Sequence, residues 1–352
     1  MRAIPFFCPV TQFFHLYGVI YVRVIRLNMN HRLKRIIGLF VCLLGCASGA
    51  FAQTEVPFSQ YQMALGYYNP ASAGRLGDLD VSALYRMQWA GWTNAPKTVY
   101  ATANMPIRFM KREHGIGVTV VNDNLSSLYK DMSAGLQYAY LKKIGKGTLR
   151  AGVQLGIINR TVGGETIITP DSTDTSGGAD EAIPNSKIAK MVFDAHAGLF
   201  YATEKWYVGL GVMHLLEPVI ETENLHTFIN RGYNFIGGYN IQMKNPLFEI
   251  QPSVFVQTNL NVYRADITAR AVVAKKYSAG LSWRMNENRL ADAAVVLLGA
   301  KFGKMEGGYA YDIPLSDVGR GTMGSHELFL KYRLQLNKPK TGKSKHKSVR
   351  LL

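Results

Sequence analysis

Apolar and polar residues alternate with a period of two along most of this chain. Val81, Ala83, Tyr85, Met87 and Trp89 share one face of an extended segment, and Asp80, Ser82, Arg86 and Gln88 share the other. Val99, Ala101, Ala103 and Met105 oppose Thr98, Tyr100, Thr102 and Asn104. Leu149, Ala151, Val153, Leu155 and Ile157 oppose Arg150, Gly152, Gln154 and Gly156. Strands of this pattern form a sheet with one apolar and one polar face. About fourteen segments follow, at 79–90, 96–106, 115–122, 132–142, 147–159, 191–201, 205–214, 231–243, 247–258, 262–273, 277–285, 291–302, 304–312 and 325–336. After residue 52 no apolar run approaches the ~20 residues that a spanning helix needs. Glycines inside strands (Gly117, Gly135, Gly209, Gly211 and Gly280) would weaken an ordinary sheet but suit curvature in a barrel wall. The pattern predicts an all-β fold, a transmembrane antiparallel β-barrel of about 14 strands over residues 79–336.

Loop lengths test the count independently. With the N-terminus on the periplasmic side, odd-numbered connections face outward. The long connections, 122–131, 159–190, 214–230 and 312–325, are all odd-numbered. The short ones, 142–147, 201–205, 243–247, 273–277 and 302–304, are even-numbered. Short inner turns and long outer loops are the usual asymmetry of such barrels.

The segment ahead of the barrel divides in three. Met29–Ala52 has a basic start (His31, Arg32, Lys34, Arg35), an apolar run from Ile36 to Leu44, and Ala50-Phe51-Ala52. This is the pattern of a secretory signal peptide, with cleavage expected before Gln53. Residues 1–28 precede the better start at Met29 and read as a mis-called upstream extension. Residues 53–78 lack alternation and carry the turn-forming pairs Asn69-Pro70 and Ala73-Gly74. They fold either inward as a plug, anchored by Phe58, Tyr61, Tyr67 and Tyr68, or under the rim as a periplasmic strap. Cys8, Cys42 and Cys46 all precede the cleavage point, so the mature chain is expected to have neither disulfide nor thiolate site. Leu43-Leu44-Gly45-Cys46 also fits a lipoprotein box, in which Cys46 would be acylated; Ala-x-Ala is the stronger match.

The net charge of +16 needs correction by location. The first 52 residues hold six Lys/Arg and no Asp/Glu, which leaves +10 on the mature chain. The tail 337–352 holds six more, Lys338, Lys340, Lys343, Lys345, Lys347 and Arg350. The tail, Lys301 and the even-numbered turns together carry +16, and the remainder carries −6. One rim is therefore basic, and it is the periplasmic one. Arg108, Lys111, Arg112, Lys142, Lys143, Lys146, Lys275 and Lys276 are candidate docking residues for an acidic partner, with the tail as an extension; a merely solvated edge is the plain alternative. Export disfavours nucleic acid as that partner.

Three clusters of residues carry a family resemblance. The first is Pro57-Phe58-Ser59-Gln60-Tyr61 with Asn69-Pro70-Ala71-Ser72-Ala73-Gly74. The second is Leu84-Tyr85-Arg86-Met87-Gln88-Trp89-Ala90-Gly91-Trp92 with Ala95-Pro96-Lys97-Thr98, followed by Gly115-Ile116-Gly117-Val118 and Val121-Asn122-Asp123. The third is Gly308-Tyr309-Ala310-Tyr311-Asp312 with Gly324-Ser325-His326-Glu327. Together they closely resemble the PorP/SprF family of type IX secretion system outer-membrane proteins, over about residues 53–336. Ser72 departs from the aromatic usual in the family, and the lysine-rich tail is an addition. The resemblance implies a place in the outer membrane of Bacteroidetes-type bacteria, within the secretion and gliding machinery. It implies partners among the periplasmic ring and lipoprotein components, a peptidoglycan-binding adaptor and the sorting domains of secreted adhesins, with lipid around the barrel.

Other chemistry is weakly marked. Arg86 falls on the polar face and should enter the lumen, paired with an acidic group, since a lone desolvated charge is costly. Ser325-His326-Glu327 mimics a triad, but adjacent strand residues point to opposite faces, so Ser325 and His326 would not meet. His196 and His214 stand apart without metal spacing, and Asp171–Asp174 lacks the calcium-loop pattern. No catalytic residue, metal site or cofactor is expected. The competing function is a passive outer-membrane channel for small or hydrophobic solutes.

Overall fold

A computed structural model describes residues 55–126, 129–163, 188–222, 225–316, 319 and 321–336. The expected upstream extension, signal peptide, Cys46, cleavage point and basic tail lie outside these residues, as does most of the 159–190 connection. The strands are β1 (Leu79–Met87), β2 (Lys97–Phe109), β3 (Arg112–Asn124), β4 (Tyr129–Ile144), β5 (Gly147–Val162) and β6 (Ile188–Ala202). Next come β7 (Trp206–Met213), β8 (Val219–Thr222), β9 (Leu225–Phe228), β10 (Gly232–Tyr239), β11 (Ile241–Gln242) and β12 (Phe248–Thr258). The last are β13 (Tyr263–Val273), β14 (Tyr277–Asn286), β15 (Arg289–Phe302), β16 (Met305–Pro314) and β17 (Ser325–Leu334).

Each wall strand pairs antiparallel with the next, β10 pairs with β12, and β1 pairs with β17 to close the ring. β11 continues the line of β10 against β12, while β8 and β9 form a separate hairpin in an outer connection. The wall is thus a closed barrel of fourteen antiparallel strands, as the alternation predicts. Closure removes the unpaired edges that an open sheet would present. The period of two sends alternate side chains out and in. Leu136 is 69% exposed, Leu155 67% and Phe193 78% on the outside, values that suit lipid rather than water. Their neighbours Gln137, Asp194 and His196 are buried on the inside.

The apolar core lies within the lumen. Val56, Phe58, Tyr61, Leu65 and Tyr68 of the N-terminal segment pack against Leu84, Tyr100, Phe200, Ile236, Phe255 and Phe329 of the wall. Tyr61 stacks on Phe255 at 5.0 Å, and Phe58 meets Tyr67 edge-on at 5.3 Å. The segment forms one short helix, α1 (Leu65–Tyr68), and a 3-10 turn over Pro70–Ser72. Asn69 caps that turn. Its backbone is extended, its Oδ1 accepts from the Ala71 N–H, and Pro70 occupies the first helical position, where no amide donor is needed. The contacts are those of a plug within the lumen, not of a strap beneath it.

The wall makes room for this segment. A Cβ on Gly152 would stand 2.3 Å from the Ala71 nitrogen, and one on Gly198 would stand 2.0 Å from Asn69 Oδ1. Gly211, expected to serve curvature, gives the same clearance to the Tyr68 carbonyl.

Candidate functional site

The lumen contains a charged network centred on Ser59. Arg86 reaches inward from β1 and pairs with Asp312 of β16 at 2.8 Å and Glu327 of β17 at 3.2 Å. Arg284 of β14 meets Asp312 at 2.7 Å and Asp266 of β13 at 2.8 Å, and Arg264 meets Asp266 at 2.7 Å. Three guanidinium groups therefore face three carboxylates, all buried. Isolated, each ion would cost several kcal/mol to desolvate; mutual pairing offsets much of that. The N-terminal segment completes the network. The Ser59 hydroxyl donates to Asp312 at 2.6 Å and accepts from Arg86 and Arg284 at 2.9 and 2.8 Å. The Ser59 and Gln60 amides donate to the two Glu327 oxygens at 2.8 and 2.7 Å, and Arg264 donates to the Phe58 carbonyl at 2.7 Å.

Residues far apart in the chain thus meet in one clasp. Ser59, Gln60, Arg86 and Glu327 were singled out by motif; Arg264, Asp266 and Arg284 were not. Their signal was available, since Arg264 and Asp266 on β13 and Arg284 on β14 stand at the alternating positions that face the lumen. Pro57 and Phe58 lead into the clasp, and the Tyr61 hydroxyl bonds Ser253 and Thr268 at 2.7 and 2.9 Å. At the other end of the plug, Asn69 Nδ2 donates to the Leu199 and Leu210 carbonyls at 3.0 Å each. Pro70 and Ala71 lie against Gly152, and the Gly74 amide donates to Asn104 at 3.0 Å. Gly74 has φ +65°, the left-handed region that glycine enters freely.

The remaining motif residues build the outer end of the wall. Tyr85 faces outward. The Gln88 amide donates to the Pro96 carbonyl, the Trp89 amide donates to Ser325 Oγ at 3.1 Å, and Gly91 and Gly324 have positive φ. Asp123 accepts from Thr98 at 2.6 Å beside Asn122. Ser325 and Glu327 face inward, while His326 faces outward to the Tyr309 hydroxyl at 2.6 Å. Ser325 and His326 are on opposite faces, as their adjacency requires.

The eight candidate docking residues all lie at one end of the barrel. Arg108, Lys111 and Arg112 flank the β2–β3 turn, Lys142, Lys143 and Lys146 the β4–β5 turn, and Lys275 and Lys276 the β13–β14 turn; all eight are exposed. Arg108 pairs with Glu113 at 3.3 Å, and Arg112 contacts the Tyr140 hydroxyl.

One group corrects the sequence reading. His196 and His214, expected to stand apart, have ring centroids 5.0 Å apart. The β6–β7 register places Ala197 opposite Val212, so inward residues near those positions converge across two strands. Asp194 Oδ2 bridges them, at 3.0 Å from His196 Nε2 and 2.5 Å from His214 Nδ1. Glu55 of the plug lies 2.7 Å from His214 Nε2. The His214 ring thus has a carboxylate at each nitrogen, Asp194 at Nδ1 and Glu55 at Nε2.

A closed antiparallel barrel, apolar outside and polar within, is an outer-membrane β-barrel, and its crossing is made by strands. Residues 50–332 match the family model of the type IX secretion system membrane protein PorP/SprF, and the chain belongs to that family. It is accordingly a secretion-associated protein of the outer membrane. No curated protein matches it. Among solved structures, the Ralstonia pickettii toluene transporter TbuX is 10% identical with a TM-score of 0.48, covering 84% of this chain and 97% of that one. The Acinetobacter baumannii outer membrane protein Omp33 is 8% identical with a TM-score of 0.41, covering 74% and 98%. Likeness at this level transfers no function.

Proposed function

We propose that this protein is a non-catalytic anchor of the type IX secretion and gliding machinery. Its basic inner rim docks periplasmic ring, lipoprotein or peptidoglycan-binding components, and the barrel supports export or surface attachment of client proteins. The observation that carries this reading is the gathering of Arg108, Lys111, Arg112, Lys142, Lys143, Lys146, Lys275 and Lys276 on alternate short turns, all solvent-facing. In salt such charges act over only ~8–10 Å, so the partner must be closely apposed. The packed lumen weighs against the passive-channel reading.

Neutralising the turn lysines to glutamine is the test. Docking predicts normal insertion with reduced, salt-sensitive recovery of machinery components from solubilised envelope. Recovery unchanged at every ionic strength would leave the rim as a solvated edge.

A further inference from the structure

The cluster behind the plug has the composition and layout of a metal site. We propose that Asp194, His196 and His214 bind one divalent transition cation of the zinc class on the inner wall, beside the point where Glu55 of the plug meets His214. The three residues each offer a ligand atom, and these atoms lie within 4.8 Å of one another. Imidazole with carboxylate is a donor set that suits zinc and its neighbours, and three protein ligands leave a fourth position for water.

Two further observations point to a ligand. Asp194 is buried, and its Oδ1 has no hydrogen-bond partner among the described residues. A buried carboxylate oxygen left unpaired is costly, and a cation would satisfy it. The second observation is the support behind the His214 ring. His214 presents Nδ1 to Asp194 while its Nε2 rests on the Glu55 carboxylate. A metal-ligating histidine usually has its second nitrogen held by an acceptor in this way. Glu55 is itself fixed by the Tyr67 hydroxyl at 2.8 Å. The carboxylates of Asp194 and Glu55 bring two negative charges to the site, which a divalent cation matches. A cavity of about 60 Å³ adjoins the site, lined by Asp123, Asp131 and Arg160 as well as the cluster, with room for the fourth ligand.

The inference is independent of the docking reading. Its test uses the full mature chain, folded in detergent without a polyhistidine tag, stripped with chelator and dialysed against Zn²⁺. The expected result is one tightly held equivalent per chain, lost in His196→Gln and His214→Gln and retained in His114→Gln and His326→Gln. Co²⁺ in place of Zn²⁺ should give the absorption of a four-coordinate site in the native chain only. Should His214→Gln fail to fold, by the heat-dependent gel mobility of closed barrels, His196→Gln decides, because it leaves the His214 contacts with Asp194 and Glu55 in place. No saturable equivalent in the native chain, or an equivalent retained in His196→Gln, would overturn the proposal and leave a metal-free ion pair.

Discussion

Ser59 shows how much rests on one small side chain. Its hydroxyl bonds one carboxylate and two guanidinium groups inside the barrel. Hydrogen bonds to charged groups contribute about 1.5–3 kcal/mol, so Ser59→Ala should destabilise the folded barrel by roughly that amount in a denaturant titration. Arg86→Ala should cost more, about 3–5 kcal/mol, because Asp312 and Glu327 would lose a buried counter-charge. Adding Glu327→Gln to Arg86→Ala should recover part of that loss; strictly additive losses would mean that the two do not interact. The inward position of Arg86 was legible from alternation alone. Its partners were not, because Asp312 and Glu327 lie more than two hundred residues away, and no local pattern encodes which strands close the ring. His196 and His214 were missed for a related reason. Spacing rules describe ligands along one helix or loop, whereas these meet across a strand pair.

At the scale of elements, the strands were readable and the plug was only half so. Alternation locates every wall strand but not its ends, as β3 (Arg112–Asn124, expected at 115–122) and β4 (Tyr129–Ile144, expected at 132–142) show, since one face meets lipid and the other a polar interior only along the middle of each strand. Residues 53–78 have no such periodicity, and their turn-forming pairs fit equally a plug or a strap. The glycines illustrate the limit. Gly211 is interpretable as curvature until the Tyr68 carbonyl is found beside it. Clearance for the plug predicts a specific failure. Gly152→Val and Gly198→Val keep a good strand residue in the wall but intrude on Ala71 and Asn69. Each variant should still give the folded mobility of a closed barrel, with protease cleavage appearing inside 55–78. Continued protection of that stretch would mean that the plug tolerates the intrusion.

For the whole molecule, a filled lumen has an electrical consequence. The native chain in a planar bilayer should show no steady conductance, and deletion of residues 55–77 should open one; equal conductance in both would remove the plug as the barrier. The asymmetry of charge between the rims is an expectation of the sequence, in which short and long connections sort the lysines. Export has its own check. The mature protein should begin at Gln53 without acylation, and mass spectrometry finding a lipid on Cys46 would contradict this. Loss of the gene, with no related copy to compensate, should impair secretion, surface adhesins or motility.

The pairing of β1 with β17 also sets an order of events. Leu79 lies opposite Leu334 and Met87 opposite His326, so the first wall strand waits for the last one made. Glu327 sits on that seam and receives the Ser59 and Gln60 amides. The Glu327 latch therefore cannot form before the last strand is made, and a chain truncated before Glu327 keeps the Asn69 and Tyr61 contacts but loses this fastening at the start of the plug. Contacts of such separation are slow to form. During that wait the unpaired first and last strands and the loose N-terminal segment are exposed together, the state in which periplasmic chaperones and proteases would sort finished molecules from failed ones.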